Sequence, residues 1–170
     1  MRIRDALGAE TRIRRNDAAF PALATEVVTP AGLRTEARYD ARGRVDTTIV
    51  YNPLGDGQNA VSTFAYDDRW DAPDTVSTPG VGPVITAYDP ANGNVLWRQQ
   101  GTDAGRRVHF RYYGAGTGLA AGLPRAVQAP ADAQGQVATD SLWYDSQGNL
   151  KGTRSPLGFL TLRYRDLLGR

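Results

Sequence analysis

Along most of the chain apolar and polar residues alternate with a period of two. Leu33, Thr35, Ala37 and Tyr39 fall on one face of an extended run, with Arg34, Glu36 and Arg38 on the other. Val45, Thr47, Ile49 and Tyr51 repeat the pattern, and Phe110 and Tyr112 alternate with His109 and Arg111. Near the end Leu160, Leu162 and Tyr164 alternate with Thr161, Arg163 and Arg165. β-Branched and aromatic residues in such alternation, bounded by Gly, Pro and Asp, predict short half-buried antiparallel strands.

The boundaries between these runs recur. One kind of boundary follows a tyrosine. It reads Tyr39-Asp40-Ala41-Arg42-Gly43-Arg44-Val45, then Tyr66-Asp67-Asp68-Arg69, then Tyr88-Asp89-Pro90-Ala91-Asn92-Gly93-Asn94-Val95. Later come Tyr112-Tyr113-Gly114, Tyr144-Asp145-Ser146-Gln147-Gly148-Asn149-Leu150 and the terminal Asp166-Leu167-Leu168-Gly169-Arg170. Tyrosines 39, 66, 88, 112, 144 and 164 are separated by 27, 22, 24, 32 and 20 residues, a loose internal repeat. A second boundary, rich in Pro and Gly, alternates with the first. It appears as Thr29-Pro30-Ala31-Gly32, Asn52-Pro53-Leu54-Gly55, Thr78-Pro79-Gly80, Ala129-Pro130-Ala131-Asp132 and Ser155-Pro156-Leu157-Gly158, with Gln100 to Gly105 in the same slot.

The first boundary has a physical reading. Asp at the start of a turn accepts hydrogen bonds from N–H groups two residues on. A turn ending on Gly in the left-handed region closes a hairpin, because only Gly enters that region freely. Asp40 to Gly43 and Asp145 to Gly148 fit such a loop. The tyrosine ends one strand with its ring on the buried face, and Val45, Val95 or Leu150 starts the return strand. In the second boundary Pro fixes its own φ and withdraws an N–H from the ladder, which ends the hairpin.

Composition agrees. Of 170 residues 19 are Gly and 10 are Pro, a surplus of turn formers that stays below the roughly 25–30% of disordered sequence. Aspartate outnumbers glutamate 15 to 3, which favours turns over helices. The fold class expected is all-β, built of consecutive antiparallel hairpins. Residues 1–24 read as an irregular or degenerate N-terminal segment and 25–170 as the repeat region, with about five to six degenerate units.

The repeat resembles the YD repeat of the Rhs family, whose unit is close to Y-D-x-x-G-R-L followed by a D-P-x-G-like turn. The resemblance spans residues 25–170, and the positions that carry it are Tyr39, Asp40, Gly43, Arg44, Tyr66, Asp67, Tyr88, Asp89, Gly93, Tyr144, Asp145, Gly148, Asp166, Gly169 and Arg170. Some units depart from the pattern: Asp67 to Trp70 lacks the turn Gly, Tyr112 is followed by Tyr113, and Arg165 stands where Tyr is expected. The resemblance implies hairpins that wind into a curved, spiralling sheet, part of a hollow shell. Rhs effectors and the B and C components of Tc-type insecticidal toxins enclose a toxic C-terminal domain in such a shell, and teneurins use a similar barrel in adhesion. It further implies partners in the form of more YD repeats of a parent chain or a partner shell protein, and an enclosed toxin domain. The expected setting is secreted or bacterial cell-surface, as part of a larger exported protein whose chain here stops inside a repeat.

Chemistry adds little to that picture. The family's self-cleavage elements have no match, since Asn52 or Ser155 replaces the Asp of D-P-x-G and Asp89-Pro90 leads to Gly93 one residue late. No catalytic residue is therefore carried over, and the expectation is a protein that is not an enzyme. His109 is the only histidine and there is no cysteine, so a hydrolase triad, a disulfide framework and a thiolate metal site lack their parts. Asp67, Asp68, Asp71 and Asp74 are closely spaced, but they do not follow a calcium-loop pattern. Gly114 to Gly118 lacks the lysine of a phosphate loop and reads as a flexible hairpin tip. No cofactor and no metal are expected. A net charge of +2 with mixed signs lacks the basic stripe of a nucleic-acid binder. No apolar run approaches the roughly 18 residues of a membrane span, and Met1 to Asp5 lacks the apolar core of a signal peptide.

Two other readings stand beside the shell. Ala87 to Trp97 resembles the blade motif of pyrroloquinoline-quinone-type β-propellers. A surface carbohydrate- or adhesion-binding module would use exposed Tyr and Trp as a glycan platform.

Overall fold

The computed structural model describes residues 1–52, 54 and 57–164. The fold is all-β, made of consecutive antiparallel hairpins, and no α-helix occurs among the described residues. The strands are β1 (Arg2–Arg4), β2 (Glu10–Arg14), β3 (Glu26–Val28), β4 (Arg34–Tyr39), β5 (Val45–Val50), β6 (Ala60–Tyr66), β7 (Pro73–Thr78), β8 (Val81–Tyr88), β9 (Val95–Gln100), β10 (Arg107–Tyr112), β11 (Pro124–Ala131), β12 (Val137–Tyr144), β13 (Leu150–Arg154) and β14 (Leu160–Leu162). The chain divides into two units, Met1–Val84 and Ile85–Arg170, with the division inside β8.

In the first unit β1 to β7 pair in chain order, each strand antiparallel to the next. In the second, β9 to β14 do the same. Each of these ladders is longer than the four-stranded sheet of a propeller blade, so the propeller reading loses its architectural basis. Residues 1–24 contain β1 and β2, joined by a turn from Asp5 to Ala9.

Period-two alternation produces this arrangement, but the faces it creates are only half covered. Among the described residues Ala126 is the one apolar side chain that is buried, with Thr86 and Gln99 as buried polar ones. The chain exposes 11700 Å², whereas a compact monomer of 18.4 kDa exposes about 8,200 Å². Cross-strand neighbours supply most of the burial, and among the described residues no second layer of elements packs on the sheet within either unit. Domains ordinarily bury a sheet face against another element; within each unit these sheet faces stay half-exposed.

Four of the tyrosines that end strands, Tyr39, Tyr66, Tyr112 and Tyr144, sit at bulges. Tyr39 pairs with Val45 while Arg38 pairs with Thr47, leaving Asp46 extra. Tyr66 pairs with Pro73 and leaves Asp74 extra. The same slip occurs at Tyr112, with Arg125 extra, and at Tyr144, with Lys151 extra. One added residue per repeat bends and twists the bulged strand locally. In β13, Gly152 is required by packing: a Cβ there would lie 2.5 Å from Trp143 Cζ2 and 3.0 Å from the Thr161 carbonyl.

The Pro-Gly boundary at Ala129 to Asp132 is placed differently from the sequence expectation. Ala129, Pro130 and Ala131 belong to β11, and the register slips between Gln128 and Ala131. Proline is tolerated at a bulge because no ladder N–H is needed there. The turn itself is Asp132 to Gln136. The Gly114 to Gly118 stretch lies in a loop closed at its base, where Tyr113 and Leu123, and Gly122 and Tyr113, are hydrogen-bonded at 3.0 Å. It also contains a 3-10 turn at Gly118–Ala120.

Candidate functional site: the tyrosine–aspartate turns

The turn after Tyr39 defines the unit. Asp40 N–H donates to the Arg44 carbonyl (2.8 Å), and Gly43 N–H donates to the Asp40 carbonyl (2.9 Å). Asp40 Oδ1 accepts from the Arg42 and Arg44 N–H groups at 2.9 and 3.0 Å, while Oδ2 takes Arg44 Nε at 2.7 Å. Gly43 has φ +80°, the left-handed value the sequence predicts. Burial works to raise the Asp40 pKa, but the N–H groups of Arg44 and Arg42 and the Arg44 guanidinium outweigh it. The carboxyl is held below its ordinary value.

The other turns repeat or modify this loop. Asp145 accepts from Gln147 and Asn149 N–H, both at 2.9 Å, and Gly148 has φ +81°. Asp132 and Asp5 make the same pattern without a preceding tyrosine: each closes a bond to the residue four ahead, with Gly135 and Gly8 at positive φ. Those two were missed, although the Asp-x-x-Gly spacing was visible once the tyrosine requirement is dropped. Thr29 and Ser155 head Pro-x-Gly turns with the same two backbone bonds. There a hydroxyl accepts the N–H of Leu33 (3.2 Å) or Phe159 (3.1 Å). At Thr29 and Ser155 the Pro-Gly boundary is thus the same backbone loop as the aspartate turn, with a different head.

A longer version follows Tyr66 and Tyr88. Asp89 N–H bonds to the Asn94 carbonyl at 2.7 Å, and Gly93, φ +77°, donates to Asp89. Asp67 N–H bonds to the Ala72 carbonyl at 3.0 Å, and Asp71 donates to the Asp67 carbonyl. Asp71 stands where Gly93 stands in the other loop and takes φ +56°, the one non-glycine residue at positive φ among those described. Aspartate is one of the few residues that tolerate the left-handed region.

The tyrosines link successive hairpins. Tyr66 Oη donates to the Val45 carbonyl at 2.6 Å, and Tyr112 Oη to the equivalent Val95 carbonyl at 2.9 Å. Tyr39 Oη donates to the Ala24 carbonyl at 2.6 Å. Tyr88 ends β8 and Tyr144 ends β12, both half-buried. Tyr144 meets the Tyr113 ring edge-on at 6.0 Å, and Tyr113 Oη donates to the Leu142 carbonyl. Burial raises the pKa of Tyr66, Tyr112 and Tyr144. Asp166, Gly169 and Arg170 lie outside the described residues.

Arginine has a use that composition did not disclose. The Arg44 guanidinium lies over the Tyr66 ring (4.5 Å), Arg34 over Tyr51 (4.2 Å) and Arg107 over Trp97 (4.0 Å). In each case the guanidinium covers one face of the ring, which is then closed to a stacking sugar. Arg44 also reaches the next turn, at 2.5 Å from Asp71 Oδ1 and 3.7 Å from Asp68. All three glutamates sit on β2 to β4 in ion pairs: Glu10 with Arg2 and Arg4 across the ladder and Arg12 on its own strand, Glu26 with Arg14 and Arg34 across the ladders, and Glu36 with Arg34 on its own strand. Aspartate heads the turns at Asp5, Asp40, Asp132 and Asp145, while the three glutamates, one methylene longer, lie in strands.

The remaining chemistry-bearing residues are dispersed. His109 on β10 is in register with Trp97 and Gln128. Asp67 caps its turn, Asp68 and Asp71 face Arg42 and Arg44, and Asp74 is a bulge residue. Among the described residues no three His, Asp or Glu groups are gathered as a metal site would gather them, and no helix is long and apolar enough to cross a membrane.

Comparison with solved structures bears on this geometry. A crystal structure of TcdB2-TccC3 without its hypervariable C-terminal region superposes with a TM-score of 0.52, at 15% identity over 93% of this chain. A crystal structure of TcdB2-TccC3-Cdc42 gives 0.51, at 14% identity over 93%. The fold is Rhs/YD-like. The chain spans about a tenth of the length of each of those chains. No family model matches the sequence, and no curated protein matches it. At this identity the likeness concerns the fold alone.

Proposed function

We propose that the chain is a non-catalytic structural segment of a Rhs/YD-type shell, one that encloses or displays a C-terminal toxin or effector domain. The observation that carries this reading is the build of each unit: hairpins in chain order, tied tyrosine to carbonyl, with almost nothing buried. The fold likeness to TcdB2-TccC3 supports it. Such a segment requires further YD repeats, in the parent chain or in a partner shell protein, to cover its faces and edges. Work of this kind is done by shape and stability, so the residues that matter are turn caps and links rather than a reacting group. The reading carries an extracellular or cell-surface setting for the parent protein.

Limited proteolysis of the parent polypeptide tests it. A domain downstream of the repeats should resist protease as long as the sheet is folded, and become sensitive once denaturant melts the sheet. A downstream domain that is cut at the same rate in the folded parent as in isolation would overturn the enclosing role.

A further inference from the structure

We propose that the second unit holds a site for a phosphate monoester, built on the face of β10 that carries Arg107, His109 and Arg111. These side chains stand two residues apart and therefore share that face. His109 lies in register with Trp97 of β9 and Gln128 of β11, and both arginines lean into that row from opposite sides. The Arg107 guanidinium lies over the Trp97 ring at 4.0 Å, with its Nε donating to Gln99 Oε1 at 3.0 Å. Arg111 Nε donates to Gln128 Oε1 at 3.2 Å. Gln99 is 3% exposed, and its Nε2 is fixed on the Gly101 carbonyl at 2.9 Å. Each guanidinium is thus held through Nε, which leaves its two terminal nitrogens to meet an anion. The 3-10 turn at Ala104–Arg106 and the β11 bulge at Ala129 to Ala131 wall a cavity of about 270 Å³ over these groups.

Charge decides what fits there. In the first unit the ladder arginines meet glutamate: Arg34 Nε donates to Glu26 Oε2 at 2.8 Å, and Arg14 Nε lies 3.2 Å from Glu26 Oε1. In the second unit glutamine makes the equivalent cross-strand contact, with glutamate's shape and none of its charge. Among the described residues neither Arg107 nor Arg111 has a carboxylate partner. Asp103 is occupied by its own turn, where Oδ1 accepts Gly105 N–H at 2.8 Å. Asp140 of β12 stands opposite Val127, on the other face. Two guanidiniums without a counter-charge, with an imidazole between them, call for a ligand of about two negative charges and several acceptor oxygens. A phosphate monoester carries about −1.5 to −2 at neutral pH, whereas a carboxylate or a phosphodiester carries one. β10 is flanked on both sides, by β9 and β11, so the site is complete within this unit and does not depend on what a parent chain encloses.

The test uses the full chain and follows backbone amides and arginine side chains by NMR as inorganic phosphate, glycerol phosphate or a phosphoserine peptide is added. All three should give saturable shifts at Arg107, His109, Arg111 and Gln128, and bind about tenfold or more tighter than acetate or diethyl phosphate. The tighter of the two esters names the source, small molecule or polypeptide. Gln128→Glu returns the carboxylate that Glu26 supplies in the first unit, and should weaken phosphate binding about tenfold or more, with the fold intact by circular dichroism. Arg111→Gln removes one of the two charges at an exposed side chain and should do the same. Acetate or diethyl phosphate binding as tightly as phosphate, shifts confined to Arg2 to Arg15, or wild-type affinity in folded Gln128→Glu or Arg111→Gln chains would each overturn the site.

Discussion

The turn after Tyr39 and the turn after Tyr66 meet the same demand in the same unit with different residues. Both reverse the chain after a strand-ending tyrosine, both start on an aspartate whose Oδ1 accepts two N–H groups, and both need one residue at positive φ. The first uses Gly43, where a Cβ would also lie 3.1 Å from the Phe20 ring. The second is one residue longer and uses Asp71, whose carboxylate is held by Arg44 from the first turn. Left-handed backbone is therefore a demand that glycine meets by freedom and aspartate by compensation. The compensation ties the two loops together.

The largest expected break in this comparison is Gly43→Val. A β-branched residue at φ +80° costs about 2 kcal/mol, and contact with Phe20 adds to it. The loss is read as a lowered denaturant midpoint with unchanged slope; a midpoint equal to wild type would remove the left-handed assignment. Next comes acid. Asp40 has a folded pKa below its ordinary 3.8, so the stability it contributes is complete above the unfolded value and disappears as pH falls through the folded one. Wild type and Asp40→Asn should differ near neutral pH and converge in acid, when their unfolding curves are compared across the range. The smallest effect belongs to Asp71→Gly. Relief of the left-handed residue and loss of an exposed ion pair oppose each other, so the change should stay within about 0.5 kcal/mol. A large destabilisation would show that the Arg44–Asp71 bond outweighs the backbone.

The strand-turn alternation was legible because its causes are local. Period two and Asp-x-x-Gly are read within a few residues, and they place β4, β5, β10 and the loops at Asp40 and Asp145. What escaped depends on neighbours far along the chain. Nothing near Gly152 announces that Trp143 lies over it, since that contact exists only after β12 and β13 pair. Asp71 looked like one more acidic residue in a run, because its φ is set by loop length and its stabilisation by Arg44. The sequence has 19 arginines and one lysine, and what the arginines do was illegible for the same reason: guanidinium stacks on Tyr51, Tyr66 and Trp97 join residues 10 to 22 positions apart. Demanding a tyrosine before every turn also hid the loops at Asp5 and Asp132, where the aspartate and glycine suffice.

The hydroxyls of Tyr39, Tyr66 and Tyr112 all bond backwards, to carbonyls 15, 21 and 17 residues earlier in the chain. During synthesis the acceptor leaves the ribosome before its donor. Each of these three tyrosines, as it emerges, finds its acceptor already in place on an earlier segment, so the links they make can close in chain order. Tyr113, which reaches forward 29 residues to Leu142, is the exception: its latch closes only when the following hairpin arrives.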